Sequence, residues 1–120
     1  MADSPRFSVR FDEEALAEDL AHASASGREV GERERARLER DGIAVSELRA
    51  CAAEGRDGTR LAGCVKTYVA RPDGPWGMVF TGDRDPTPVL VFLAFGVRHP
   101  RSPWRPSVYQ VADRRLHRSG

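Results

Sequence analysis

The chain has 120 residues and a formal net charge of +1 at pH 7, with 40% hydrophobic and 31% charged residues. This composition excludes a chain that is disordered throughout or forms only a coiled coil, and we predict a single domain over residues 1–120. No apolar run approaches the roughly 18 residues of a membrane span, and residues 1–30 lack the apolar core of a signal peptide. We therefore expect a cytoplasmic protein without membrane contact.

The small net charge conceals two oppositely charged halves. Residues 1–59 carry 9 arginines and 14 acidic residues, a balance of −5, whereas residues 60–120 carry 10 basic and 4 acidic residues, a balance of +6. Such asymmetry is typical of a protein with a polyanionic or protein partner, or of acidic helices beside basic strands. Alanine dominates the first half and β-branched or aromatic residues the second, which predicts segregated helices and strands of the α+β class.

The first half begins with a predicted strand. Apolar and polar residues alternate over 6–11, as in a half-buried strand. Asp12 stands at the N-cap position of a helix that should run to about Ser24 and end near Gly27. Residues 29–40 are mostly charged, which indicates a solvated helix with ion pairs between residues four apart.

A third helix is predicted from Ser46 to about residue 53. The Asp41-Gly42 pair should end the preceding helix, and Ser46 should cap the new one. Gly55 should then end it, because glycine adopts the backbone conformation found after a helix C-terminus. The first half therefore contributes two to three helices.

The second half predicts three strands, over residues 61–70, 76–80 and 89–95. A proline- and glycine-containing turn at 72–75 and a loop at 82–88 connect them. Short connections favour a three-stranded antiparallel meander. A capping-box pattern beginning at Ser107 then predicts a short closing helix.

Metal and phosphate-loop chemistry find no support in the sequence. The three histidines and two cysteines show no pair at the spacing of metal ligands. Without an export signal, we expect Cys51 and Cys64 to be reduced thiols rather than a disulfide. The glycines of the second half match no phosphate-binding fingerprint.

Basic and aromatic residues instead accumulate at one end of the predicted sheet. Arginines supply charge for phosphates and rings supply stacking faces for unpaired bases, a combination that suits an RNA surface. The alternative for residues 98–106 is a solvated loop stiffened by proline. The members of this surface are Lys66, Tyr68, Arg71, Arg98, His99, Arg101, Trp104, Arg105 and Tyr109.

Lys66 and Tyr109 are the candidates for proton transfer. Lys66 is the only lysine beside 18 arginines, and an ammonium can lose its proton when desolvated whereas a guanidinium cannot. Tyr109 shares a predicted helix face with Asp113 and His117. The alternative for Lys66 is that a lysine stands there by chance. The alternative for Tyr109 is that its ring only packs within the fold.

Four segments, in this order, resemble motifs of the RelE/ParE toxin superfamily. The family motifs are L-x-G before a strand, W-R-V-x-F/Y within a strand, L-x-x-G-H-R at the end of a strand, and V-Y-x-x-A near the end of the domain. The four segments cover roughly residues 61–117. The segments are Leu61-Ala62-Gly63, Trp76-Gly77-Met78-Val79-Phe80, Leu93-Ala94-Phe95-Gly96-Val97-Arg98-His99 and Val108-Tyr109-Gln110-Val111-Ala112.

The resemblance implies a compact bacterial toxin that is held by a cognate antitoxin. RelE-like members cut mRNA on the ribosome without a metal or other cofactor, by attack of a 2′-hydroxyl on the adjacent phosphate. In that scheme Lys66 or Tyr109 takes the hydroxyl proton, Arg98 stabilises the phosphorane and His99 protonates the leaving oxygen. RNA contacts are expected from Arg60, Arg71, Arg101, Trp104 and Arg105.

Two departures from the family pattern, a missing strand arginine and a longer loop at residues 100–106, keep other functions open. The arginine that the family places in its tryptophan-containing strand is Gly77 or Met78 in this chain. The alternatives are a ParE-like inhibitor of DNA gyrase and a catalytically weakened interaction protein of the same fold. In each case an acidic antitoxin segment would complement the basic second half.

Overall fold

The computed structural model describes residues 6–55, 57–70, 74–82 and 89–118. Residues 72–73 of the predicted turn at 72–75 and residues 83–88 of the predicted loop at 82–88 lie outside these residues. The described chain forms three helices and six strands. They are β1 (Arg6–Arg10), α1 (Glu13–His22), α2 (Ala25–Asp41), β2 (Ile43–Ala44), β3 (Arg49–Ala50), β4 (Cys64–Tyr68), β5 (Trp76–Gly82), β6 (Val89–Val97) and α3 (Val108–Leu116).

The sheet corrects the predicted architecture. Its strands are ordered β2-β1-β6-β5-β4-β3, and β1 lies parallel to β6 while the other neighbours are antiparallel. The prediction of a three-stranded antiparallel meander with a separate N-terminal strand is therefore wrong. The sheet is mixed and six-stranded, because β1 pairs alongside β6 and the two-residue strands β2 and β3 extend both ends. The chain is broadly α+β, but not of the predicted simple kind.

The first two helices follow their capping residues. Asp12 caps α1, as predicted, and its carboxylate accepts a hydrogen bond from a first-turn N–H. The predicted end of this helix near Gly27 is wrong, because Ser24 accepts a hydrogen bond from the Gly27 N–H at 3.0 Å and so begins α2. Predicted ion pairs on α2 are confirmed, for example Arg33 with Glu29 at 2.8 Å.

The predicted third helix over 46–53 is wrong. Val45–Glu47 form a single 3-10 turn, and Arg49–Ala50 form strand β3 at the edge of the sheet. The Cys51 N–H donates to the Cys64 carbonyl at 3.1 Å, which continues the contact between β3 and β4. Pairing with a neighbouring strand here overrides the helix propensity of the alanines.

Two hydrophobic cores lie on opposite faces of the sheet. One is formed with α1 and α2 and includes Leu16, Val69 and Phe80; the other is formed with α3 and includes Cys64 and Val108. Successive side chains of a strand point to opposite faces. Strand β4 therefore presents its even-numbered residues on the α3 face. Among the described residues, no helix is both long and apolar enough to cross a membrane.

A buried ion pair joins α1, β6 and α3. Both carboxylate oxygens of Asp19 accept hydrogen bonds from Arg115, at 2.7 and 2.8 Å. Asp19 also accepts from the Phe95 N–H at 2.8 Å, and Arg115 donates to the Leu93 carbonyl at 2.8 Å. Burial alone would lower the pKa of Arg115, but the hydrogen bonds and attraction of Asp19 and Glu18 raise it above its ordinary value.

Replacing Gly31 with alanine should destabilise the protein. A Cβ atom at Gly31 would lie 2.7 Å from Cε2 of Phe95 and 2.8 Å from Cδ2 of Leu20. Overpacking should outweigh the gain in helix propensity, so urea denaturation should show a loss of about 1–2 kcal/mol in the free energy of unfolding. The exposed Glu32 provides the control, because Glu32→Ala should be nearly neutral. A higher urea midpoint for Gly31→Ala would contradict this packing.

Candidate functional site

Five side chains from four parts of the fold meet on the α3 face and form what we call the cation–tyrosine cluster. Arg49 lies on β3 and is paired in register with Lys66 on β4. Tyr68 follows on the same face of β4, Arg98 lies just beyond β6, and Tyr109 lies in the first turn of α3. Because β4, β5 and β6 are neighbouring strands, cluster residues that are distant in sequence lie close together in the fold.

The two tyrosine rings organise the three cations. The Arg98 guanidinium carbon lies 3.8 Å from the centre of the Tyr68 ring, and that of Arg49 lies 5.1 Å from it. Lys66 Nζ lies 4.9 Å from the centre of the Tyr109 ring. Cations within about 6 Å of an aromatic ring are attracted to its electron-rich face. These contacts hold the positive charges close together despite their repulsion.

Arg98 is fixed more firmly than an exposed arginine. Its Nε donates to the Tyr109 hydroxyl at 3.4 Å, and its Nη1 donates to the Gly74 carbonyl at 3.1 Å. Its backbone N–H donates to the Pro75 carbonyl at 2.7 Å. The half-buried guanidinium therefore already occupies one position before any ligand arrives.

Gly77 provides the space that Arg98 occupies. A Cβ atom at Gly77 would lie 3.0 Å from Cγ of Arg98, so the aliphatic part of Arg98 crosses directly over this glycine. Met78 is fully buried in the core formed with α1 and α2. An arginine at Gly77 would therefore have to displace Arg98, and an arginine at Met78 would have to enter the buried core on the other face of the sheet.

The cluster holds uncompensated positive charge. Within the described ranges, no carboxylate forms an ion pair with Arg49, Lys66 or Arg98. A groove of about 540 Å³ opens beside the cluster and is lined partly by Arg49 and Tyr68. Three unpaired cations next to two half-exposed rings can bind an anion together with a planar group, such as a phosphate and its adjoining base.

The predicted site residues His99 and Arg60 form no hydrogen bond, ion pair or cation–π contact with this cluster. His99 is exposed and forms no hydrogen bond or ion pair with the part of the chain that the structure describes. Arg60 is also exposed, and its backbone N–H donates to the Asp113 carboxylate at 2.9 Å. Arg71 lies outside the described residues.

Arg101, Trp104 and Arg105 form a separate group in the loop before α3. All three are exposed, and Trp104 has 88% of its surface accessible. The structure thus brings together Lys66 and two other predicted catalytic residues, and it separates the predicted RNA-binding residues of the loop from them.

Arg49 is the member of the cluster that sequence reasoning missed. It falls inside the segment for which a helix was predicted, and a two-residue strand leaves no periodic pattern to reveal it. Tyr68 belongs to the predicted basic and aromatic surface but had no assigned role. Its position between Arg49 and Arg98 gives it one, as the ring on which both guanidinium groups lie.

Comparison with known proteins gives this chain no family. No protein-family model, curated protein or solved structure matches the sequence. The resemblance to the toxin superfamily rests on the four motifs within residues 61–117, and it stays a prediction.

The cysteines lie beside the cluster as free thiols. Cys51 is half-buried and Cys64 is buried. Over the described part of the chain, no group of three or more histidine, cysteine or acidic side chains is placed to hold a metal ion.

The Cys51 thiol should react slowly near neutral pH. Burial and, to a smaller extent, nearby Cys64 raise the pKa of Cys51 to about 11. A raised thiol pKa leaves less thiolate, so alkylation by iodoacetamide at pH 8 should be about 100-fold slower in the folded chain than in urea. The rate should rise about tenfold per pH unit up to pH 10. Equal rates in folded and unfolded chains would contradict this environment.

Proposed function

We propose that this chain is the toxin of a toxin–antitoxin system and acts as a ribosome-dependent, metal-independent endoribonuclease on mRNA. The observation that carries the proposal is the cation–tyrosine cluster, in which Lys66, Arg98 and Tyr109 meet with no neutralising carboxylate among the described residues. A phosphodiester brings negative charge to such a site, and its bases bring ring faces. The motif resemblance independently supports the same residues.

The proposed reaction is a transesterification within the RNA. The 2′-oxygen bonds to the adjacent phosphorus, the bond from phosphorus to the 5′-oxygen breaks, and a 2′,3′-cyclic phosphate and a 5′-hydroxyl result. Lys66 or Tyr109, in its deprotonated form, takes the 2′-hydroxyl proton, while Arg98 stabilises the charge that develops on the phosphorane. His99, next to Arg98 in the chain, gives a proton to the 5′-oxygen in its imidazolium form.

The remaining predicted residues serve binding under this proposal. Arg60, Arg71, Arg101 and Arg105 contact phosphates, and Trp104 offers an exposed face for a base. The partners are mRNA on the ribosome and a cognate antitoxin protein in the cytoplasm. The chemistry requires no small-molecule cofactor.

Purified chain incubated with programmed ribosomes tests this proposal. We expect mRNA fragments that end in a 2′,3′-cyclic phosphate, and an mRNA with a single 2′-deoxynucleotide at the cleaved position should remain intact there because the nucleophile is missing. An Arg98→Ala, Tyr109→Phe double variant should not cleave, whereas Arg40→Ala on the exposed surface of α2 should cleave normally. Intact mRNA, or full activity of the double variant, would refute the proposal.

One observation favours a second function without RNA cleavage. Gly77 lies beneath Arg98 and leaves no room for the additional arginine of the resembled motif. A ParE-like gyrase inhibitor or a non-enzymatic interaction protein would not need that arginine. Inhibition of DNA supercoiling by gyrase, with mRNA left intact on ribosomes, would select the gyrase function. Absence of both effects would favour a protein-binding role.

A further inference from the structure

Strand β6 has an edge that is only partly covered. Strand β1 pairs with Val89, Leu90 and Val91, and among the described residues no strand pairs with this edge of β6 beyond them. The Arg98 N–H donates to Pro75, the residue that precedes β5. Because backbone groups alternate in direction along an antiparallel strand, the N–H and C=O groups of residues 95 and 97 face away from β5 and toward the open edge, as does the Leu93 carbonyl that accepts from Arg115.

Side chains satisfy only the first part of this edge. Arg115 donates to the Leu93 carbonyl, and Asp19 accepts from the Phe95 N–H. The next groups along the edge are the Phe95 carbonyl and the Val97 N–H, and no described residue bonds to either. An unpaired donor and acceptor on a strand edge form a template for another strand.

A groove runs along the same edge. It has a volume of about 720 Å³ and lies between the C-terminus of α1, the loop at 100–106 and α3. Apolar side chains supply much of its wall, and Val97 and Trp104 are 39% and 88% exposed. The apolar lining residues that the argument uses are Trp76, Phe95, Val97, Trp104 and Val111.

The rim of this groove is basic. Arg101, Arg105, Arg114 and Arg118 line it, and all four are exposed. None of them forms an ion pair with a carboxylate of the described residues. Of the acidic residues at the groove, Asp19 and Glu18 are already paired with Arg115. The free charge around the groove is therefore positive.

We propose that this groove binds an acidic segment of a partner protein in an extended conformation, which adds a strand to the free edge of β6. The backbone of the segment would bond to the Phe95 carbonyl and the Val97 N–H. Its alternate side chains would enter the apolar groove and meet the four rim arginines. A peptide backbone fits this edge better than RNA, because it carries both a donor and an acceptor at strand spacing.

The proposal does not depend on RNA cleavage. No residue of the cation–tyrosine cluster lines the groove. Its test also uses no ribosome, so failure of the nuclease proposal and failure of this one are distinguishable.

An array of acetylated, amidated seven-residue peptides provides the probe. In each peptide, glutamate or aspartate alternates with leucine, isoleucine, valine, phenylalanine or tyrosine; a matched array carries lysine in place of the acids. We expect the full-length chain to bind members of the acidic array and none of the lysine array. The best peptide is N-methylated in turn at each of its two sets of alternate residues; binding should be lost for the set whose N–H groups face β6 and kept for the set whose N–H groups face solvent. Failure of every acidic peptide to bind would overturn the proposal.

Two variants locate the binding on the chain. Of the backbone hydrogen-bonding groups, Val97→Pro removes only the edge N–H, which β5 does not use, and it should weaken binding of the best peptide at least tenfold. Val97→Ala keeps that N–H and should weaken binding less than threefold. An Arg101→Glu, Arg105→Glu variant should also weaken binding at least tenfold. Urea midpoints of all variants establish that they fold. Equal binding of the best peptide by Val97→Pro and Val97→Ala would overturn the proposal. So would oligouridylate binding that is tighter than peptide binding and is abolished in the Arg101→Glu, Arg105→Glu variant.

Discussion

An Asp19→Ala variant is expected to lose about 3–5 kcal/mol of unfolding free energy, the usual cost of removing one partner from a buried ion pair. The substitution would leave the guanidinium of Arg115, whose side chain is only 9% exposed, without its main counter-charge. It would also leave the Phe95 N–H without its acceptor. Urea denaturation monitored by tryptophan fluorescence measures the loss, with unchanged m-values indicating that the unfolded state is the same.

Glu18 supplies the matched control for this substitution. It also pairs with Arg115, at 3.1 Å, but its side chain is 61% exposed. Glu18→Ala should therefore cost less than about 1 kcal/mol, as is usual for an exposed ion pair. An Asp19→Leu, Arg115→Met double variant should recover much of the lost stability, because it buries no unpaired charge. Equal effects of Asp19→Ala and Glu18→Ala would show that burial does not strengthen the pair.

An Arg98→Ala variant is expected to cleave mRNA on the ribosome about 10²–10³ times more slowly than the parent chain, if the proposed nuclease function holds. The factor is large because Tyr109, Gly74 and the Tyr68 ring hold the guanidinium in place, so it needs no reorganisation when charge develops on the phosphorane. Single-turnover cleavage at saturating ribosome concentration measures the chemical step separately from binding.

Arg105 distinguishes a catalytic loss from a general loss of positive charge. It is exposed in the loop before α3 and lies apart from the cluster. Arg105→Ala should leave the single-turnover rate within about threefold of the parent, although weaker binding at higher salt is expected if it contacts RNA. A comparable loss of the single-turnover rate for Arg105→Ala and Arg98→Ala would refute the separate role of Arg98.

Hydropathy patterns and capping residues predicted the strands and helices whose conformation is determined by residues close in sequence. Alternation identified β1, β4 and β5, a continuous apolar run identified β6, and capping residues such as Asp12 and Ser107 identified helix starts. The parallel pairing of β1 with β6 was missed, because alternation reveals a strand but not its neighbour. The helix predicted at 46–53 failed for a related reason, since contacts with β4 decide the conformation of Arg49–Ala50.

The candidate site was predictable in composition but not in arrangement. Lys66, Arg98 and Tyr109 were identified by residue type and by motif resemblance, and the structure places them in contact. The role of Gly77 was not predictable, since it depends on Arg98 crossing over it from the neighbouring strand. Equally, adjacency in sequence placed Arg101 and Arg105 with Arg98, whereas the chain turns after β6 and directs them to another surface.

The position of β1 has a consequence for how the chain acquires its structure during synthesis. Residues 6–7 pair with β2 at residues 43–44, but residues 8–10 pair with residues 89–91, so this part of β1 must wait for most of the chain before its partner is synthesised. Contacts between such distant residues slow folding, because a long loop must close before they form. In a nascent chain, the Phe11 ring would meanwhile lack Phe92 of β6, the ring it contacts. We therefore expect chaperones, or contacts with the helices, to shield this exposed apolar surface of the nascent chain until β6 has emerged.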